Sequence, residues 1–159
     1  GQIIIDDIVL EKSNRRKWQS KIGYVPQNIF LTDDSIEKNI ALGEEKNQIN
    51  NKKIDYLISV CQLSNYINNL KLKKESNIGE LGAKISEGQK QRLGIARALY
   101  KDPDILVLDE FTSSLDLATE NEIMEIVRKL KGKKTILIVS HRKNAIKYCD
   151  KIINLNDQS

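Results

Sequence analysis

Proline and cysteine each occur only twice in 159 residues, and tryptophan, methionine and histidine once each. The two cysteines, Cys61 and Cys149, stand far apart with no metal-ligand spacing. That excludes a disulfide scaffold and suits a reducing, cytosolic compartment. Cys61 falls on an apolar helical stripe with Ile54, Leu57 and Ile58, where core packing is its expected role. No apolar run approaches the ~20 residues that span a bilayer, and no signal peptide is present. Any link to a membrane is therefore expected to run through a partner or another segment. Internal repeats and low-complexity tracts are also lacking.

What is present suits a folded domain. Hydrophobic residues make up 40% and charged residues 30%, a composition that excludes disorder. A chain of this length buries roughly two-thirds of its unfolded surface, enough for a real core. The net charge is +4 and the pI about 9.0, a balance compatible with nucleic acid, anionic surfaces or phosphate ligands. The basic residues are spread out. Their densest run, Lys71 to Lys74, is expected to be a solvated face.

Periodicity and punctuation predict the elements. Gln2–Ile5 and Ile22–Val25 read as strands, the second stopped by Pro26, and Ser13–Ser20 as a short helix. Asp34 or Ser35 is placed to cap a helix ending at Ile40, with Gly43 beyond it. Lys52–Gln62 has amphipathic spacing, Ser64–Leu70 is a further helix, and the polar stretch from Lys71 to Ala83 is a loop. Ser86 reads as the N-cap of a helix reaching about Tyr100. The continuous apolar run Ile105–Leu108 predicts a strand buried on both faces. Leu117–Leu130 follows as a helix ended by Gly132, then strand Thr135–Val139, helix Arg142–Tyr148 and strand Lys151–Leu155. This alternation predicts a parallel sheet covered by helices. The helical, polar middle predicts an inserted lobe.

The chemistry concentrates at strand ends. Ile105-Leu106-Val107-Leu108 runs into two adjacent carboxylates, Asp109 and Glu110. Ligands of open α/β sheets bind beyond the C-terminal strand edge. Side chains alternate along a strand, so one acid can hold hydrated Mg2+ while the other faces a water. About twenty residues earlier, Ser86-Glu87-Gly88-Gln89 begins a helix whose hydroxyl and backbone N–H groups suit an anion. Ser113-Ser114-Leu115-Asp116 follows the acids closely, and His141 ends another apolar strand. Each piece alone has a plain structural reading; their order and spacing together point to a phosphate site.

These pieces resemble the ABC ATPase family over about Ile3 to Leu155. Tyr24-Val25-Pro26-Gln27 resembles the family's Q-loop, Ile85-Ser86-Glu87-Gly88-Gln89 its signature, and Ile105–Asp109 its Walker B strand. The resemblance implies a P-loop NTPase-like α/β core, 1–27 and 99–159, with an inserted helical subdomain over 28–98. It implies that Asp109 and Gln27 support Mg2+, that Glu110 is the general base, and that His141 contacts the γ-phosphate of ATP. Gln27, Ser86, Gly88, Gln89 and Asp116 would bind nucleotide, the signature acting in trans on a second cassette, identical or not. Ser35-Ile36-Glu37-Lys38-Asn39-Ile40 and Gly79-Glu80-Leu81-Gly82 are similar to exporter-type segments. An exporter would place the domain beside a transmembrane domain, at the cytoplasmic face of the membrane, with no nucleic-acid partner. The competing readings are a soluble, non-transport ABC ATPase and an inactive module.

Departures from the family pattern are as plain. Glu87 stands where the signature has a glycine, a carboxylate that like charge would repel from a triphosphate. Ile85 replaces leucine, and Phe111 replaces a small residue. The phosphate-binding string G-x-x-x-x-G-K-[ST] is absent. Gly132-Lys133-Lys134-Thr135 imitates its end, but position 127 is Val. The chain opens at Gly1 in a strand-like run, and the loop is expected in a part that precedes it.

Overall fold

The computed structural model describes residues 1–79 and 85–154. The chain opens with an antiparallel hairpin of β1 (Ile4–Ile5) and β2 (Ile8–Val9). Its two-residue turn places Asp6 and Asp7 at φ 48° and 61°. Such tight hairpin turns need positive φ at both positions, which Asp tolerates better than most residues. The order then runs α1 (Arg15–Gln19), β3 (Ile22–Val25), α2 (Ile36–Ile40), α3 (Asn51–Val60), α4 (Ser64–Asn68), α5 (Glu87–Tyr100), β4 (Ile105–Asp109), α6 (Leu117–Leu130), β5 (Thr135–Val139) and α7 (Lys143–Ile146). The fold is a mixed α/β arrangement around a parallel sheet in the order β3-β4-β5.

Register fixes which residues share a face. Val25 lies opposite Leu108, and Asp109 opposite Val139. Gly23, Val25, Leu106 and Leu108 are buried, with Ile136 and Ile138 packed against the same core. The opposite face carries Ile22, Tyr24, Ile105, Val107, Leu137 and Val139, and it is open: Tyr24 is 54% exposed and Leu137 53%. This corrects the expectation of a strand buried on both faces. An apolar run signals a strand, but only the second layer of packing decides whether both faces are covered. The predicted strand from Lys151 is also corrected, because residues 151–153 lie outside any strand, with Ile152 and Ile153 exposed. A run of β-formers becomes a strand only where a sheet edge accepts its hydrogen bonds. Leu155 and residues 80–84, with most of the expected Gly79–Gly82 segment, lie outside the described residues.

Helices build the rest of the core. Ser35 caps α2 by accepting from the Lys38 N–H at 3.3 Å, and Asn50 caps α3 by accepting from that of Lys53 at 3.1 Å. Ile54, Leu57, Ile58 and Cys61 are buried, as the amphipathic spacing requires. Burial pushes the Cys61 thiol up to about 12. Arg97 of α5 ties the preceding segment down, donating to the carbonyls of Asn39 and Phe30 at 2.8 and 2.6 Å. Within the Lys71–Lys74 run, Lys74 pairs with Asp55 at 2.6 Å.

α5 packs on both the sheet and α2 and α3. It lies so close to β3 that a Cβ at Gly23 would sit 2.6 Å from the Ala98 carbonyl oxygen. That approach fixes the last turn of α5 against β3.

Candidate functional site

Beyond β4 the backbone turns sharply. Asp109 is the last strand residue, and Glu110 follows at φ 43°, a left-handed conformation that a non-glycine residue adopts at a cost of order 1–3 kcal/mol. The turn is held by the Glu110 N–H, which donates to the Val139 carbonyl at 2.9 Å. It swings the Glu110 carboxylate toward the end of β5, where His141 Nδ1 lies 3.2 Å from Glu110 Oε1. A carboxylate can only accept, so this contact puts the proton on Nδ1. The His141 side chain is 70% exposed and that of Glu110 35%, so both can be reached from solvent.

Asp109 takes the other direction. Its Oδ2 accepts the Tyr24 hydroxyl at 2.8 Å across the open sheet face. The carboxylate holds the Tyr24 phenol above its ordinary value by accepting a hydrogen bond from the protonated hydroxyl. Gln27, two residues beyond β3, donates through Nε2 to Ser113 Oγ at 3.1 Å. Its own carbonyl accepts from Gln91 Nε2 at 3.1 Å, which fastens the segment to α5. Gln91 is fully buried, and its Oε1 has no partner among the described residues.

The anticipated anion-binding residues sit at two neighbouring helix starts. Ser86 and Gln89 close a capping box at α5, with Gln89 N–H donating to Ser86 Oγ at 3.3 Å and Ser86 N–H to Gln89 Oε1 at 3.0 Å. Gly88 packs this helix on α6, since a Cβ there would lie 2.6 Å from Thr119 Cγ2. Asp116 caps α6, its Oδ1 accepting from the Ala118 and Thr119 N–H groups at 3.0 Å each. These bonds, with the Thr119 hydroxyl at 2.7 Å, hold the Asp116 carboxyl below the usual carboxylate range. Ser86, Gly88, Gln89, Arg92 and Thr119 line a concavity of about 510 Å3, which the Arg92–Glu122 ion pair borders. Glu87 faces Lys90 at 3.7 Å, so its charge is partly compensated, and an acid in the first turn also favours the helix dipole.

The structure thus brings Glu110 to His141 and joins Gln27 to the Ser113 loop. Ser86, Gly88, Gln89 and Asp116 form a separate cluster at the α5 and α6 starts. Several contributors carry no local signal in sequence. Phe111, beside Glu110, is 1% exposed and fills the core under the turn. Arg142 reaches residues some thirty positions earlier, to Ser113 and Leu115.

The donor set suits magnesium. Among the described residues no group of three His, Cys, Asp or Glu side chains gathers to cage an ion. Magnesium usually takes one or two carboxylates and fills its shell with phosphate oxygens and water. Asp109 offers one such carboxylate, bonded through Oδ2 to Tyr24, and Gln27 an amide bonded through Nε2 to Ser113.

Comparison with known proteins gives the family of the chain. A model of the family described as ABC transporter matches residues 1–113. The chain is 35% identical, over 98% of its length, to an ATP-dependent lipid A-core flippase of Ralstonia nicotianae, and spans 26% of that protein. It is 36% identical, over 99% of its length, to human ATP-binding cassette sub-family B member 5, of which it spans 12%. The solved structure of a bacterial Atm1-family ABC exporter with ATP bound superposes with a TM-score of 0.80 at 33% identity, covering 92% of this chain and 25% of that one. The chain therefore spans about a quarter of the length of the flippases it matches.

Proposed function

The chain belongs to the ABC transporter family as a nucleotide-binding domain of exporter type, and we propose that it binds ATP and hydrolyses it to drive transport across a membrane. The observation that carries this reading is the pairing of Glu110 with His141 beside Asp109 at the sheet's C-terminal edge. Among the described residues no helix is long and apolar enough to cross a membrane, so the transmembrane path belongs to other segments or subunits.

In this mechanism Glu110 is the general base. One carboxylate oxygen is held by His141, and the other receives the proton of a water in line with the γ-phosphorus. Phosphoryl transfer asks little covalent chemistry of a protein, so the gain comes from positioning and charge. His141, held at Nδ1 by Glu110, would turn its ring toward the γ-phosphate, to which Nε2 donates only when it carries a proton as well. Asp109 and Gln27 would hold magnesium, which when bound would neutralise charge on the phosphate oxygens. Ser86, Gly88 and Gln89 address the nucleotide of a second cassette from the helix start, where backbone N–H groups and the dipole favour an anion. Asp116 orders the loop that leads into α6 at the same boundary. Residues 1–27 with 99–159 act as the catalytic lobe and 28–98 as the helical lobe. Closure of two cassettes on ATP moves a transmembrane domain on the cytoplasmic side of the membrane.

The test is magnesium-dependent phosphate release from ATP by the intact protein in lipid vesicles. Release that stops on chelation supports the reading. A folded protein that retains nucleotide but releases no phosphate overturns it, and salt-sensitive nucleic-acid binding would favour the non-transport alternative.

A further inference from the structure

Arg142 directly follows His141, and its guanidinium is engaged in both directions. Nη1 donates to the Leu115 carbonyl at 3.0 Å and to Glu120 Oε2 at 2.9 Å, and Nη2 donates to the Ser113 carbonyl at 2.5 Å. Both carbonyls belong to the loop between β4 and α6, the loop whose Ser113 hydroxyl accepts from Gln27. Glu120, in the first turn of α6, is wholly buried, and its Oε1 has no hydrogen-bond partner among the described residues. A buried carboxylate is costly, and among the described residues the side chain that meets it is Arg142. It fixes the plane of the guanidinium, whose rigid fork then spans two carbonyls. His141 itself is mostly exposed, and Glu110 is the side chain it meets. The ring cannot be held by its own packing, so the backbone beneath it must be held instead.

We propose that Arg142 and Glu120 are positioning residues that lock the His141 loop onto the Ser113–Asp116 loop, so that His141, Glu110 and Gln27 keep one register during hydrolysis. This inference rests on the hydrolytic reading of Glu110 and His141. The Arg142 guanidinium is engaged by Glu120 and the Ser113 and Leu115 carbonyls, so it acts through the backbone at His141 and the carbonyl at Ser113. Movement of either loop is thereby transmitted to the other.

The experiment compares R142K, E120Q, H141A and H141A/R142K in the intact protein, by steady-state ATP hydrolysis with magnesium. R142K keeps the positive charge opposite Glu120 but replaces the fork with a single ammonium. Misplacement of a reacting group by an ångström can cost about 10²-fold, so kcat in R142K is expected to fall at least about tenfold. KM for ATP should stay within about twofold, because ground-state binding is not touched. Since part of the effect of Arg142 runs through His141 and part through Ser113, R142K should slow H141A by a smaller factor than it slows the wild type. E120Q should move kcat the same way; should it fail to fold, R142K carries the test. A folded R142K with wild-type kcat overturns the inference, as does a loss that multiplies in full onto H141A. A wild-type protein without turnover removes the hydrolytic reading itself, and this inference with it, whatever R142K does.

Discussion

Replacement of Gly88 by alanine separates two opposing effects that the structure assigns to one position. The added Cβ would stand 2.6 Å from Thr119 Cγ2. That methyl cannot easily withdraw. Thr is stiff at χ1, and its hydroxyl is held by Asp116 Oδ2 at 2.7 Å. Overpacking of this kind costs about 1–3 kcal/mol. Against it, alanine gains up to about 1 kcal/mol over glycine within a helix. The net expectation is a destabilisation of about 1 kcal/mol, read as a fall of roughly 0.5 M in the urea midpoint for a slope near 2 kcal/mol/M. Thr119→Ser removes the methyl and keeps the hydroxyl bond. In that background the Cβ has room, and the sign should reverse, with G88A/T119S more stable than T119S by about 0.5 kcal/mol. Circular dichroism during urea unfolding of the four proteins measures the cycle. If G88A destabilises equally with and without the Thr119 methyl, the close packing of α5 on α6 is refuted.

Three further expectations rest on single residues. Phe111→Ala should cost about 3–5 kcal/mol in urea unfolding, because a fully buried ring is deleted under the turn that carries Glu110. Asp116 has a folded-state value depressed below its unfolded one, so its contribution is complete above the unfolded value and disappears as pH falls through the folded one. Asp116→Asn, which still caps but carries no charge, should therefore lose that contribution at neutral pH and converge with wild type in acid, flattening the acid limb of the stability profile. Cys61, buried and shifted to about 12, should resist a thiol reagent in the native state and react on unfolding, while half-buried Cys149 reacts first.

Much of the architecture was legible in the residue pattern because local rules and the fold agree. Ile22–Val25 stops before Pro26, Ser86 carries the side chain that caps α5, and Thr135–Val139 has the run length of a strand. Other features depend on which elements meet, and no local window contains that. The β1–β2 hairpin has only two residues a side, too few for periodicity, and its turn uses Asp-Asp rather than a glycine pair. The open sheet face reads like a covered one, since Leu137 and Val139 are as apolar as Leu106 and Leu108.

At the site, the acids, the histidine and Gln27 were visible as residue types at strand ends. The hydrogen bonds that organise them were not. Gln91 to Gln27, Tyr24 to Asp109 and Arg142 to Ser113 join positions 29 to 85 residues apart. Asp116 was anticipated for nucleotide, and its cap contacts appear only once α6 is in place.

The central claim is that Glu110, paired with His141 at 3.2 Å, takes the proton of the attacking water. Glu110→Gln keeps the shape and an acceptor oxygen but removes the base, which contributes about 10²–10⁴-fold in rate. Phosphate release from ATP by the intact protein should fall by at least about a hundredfold, roughly 2.7 kcal/mol of barrier, while ATP retention stays within about twofold of wild type. Turnover of the folded variant at the wild-type rate would contradict the account.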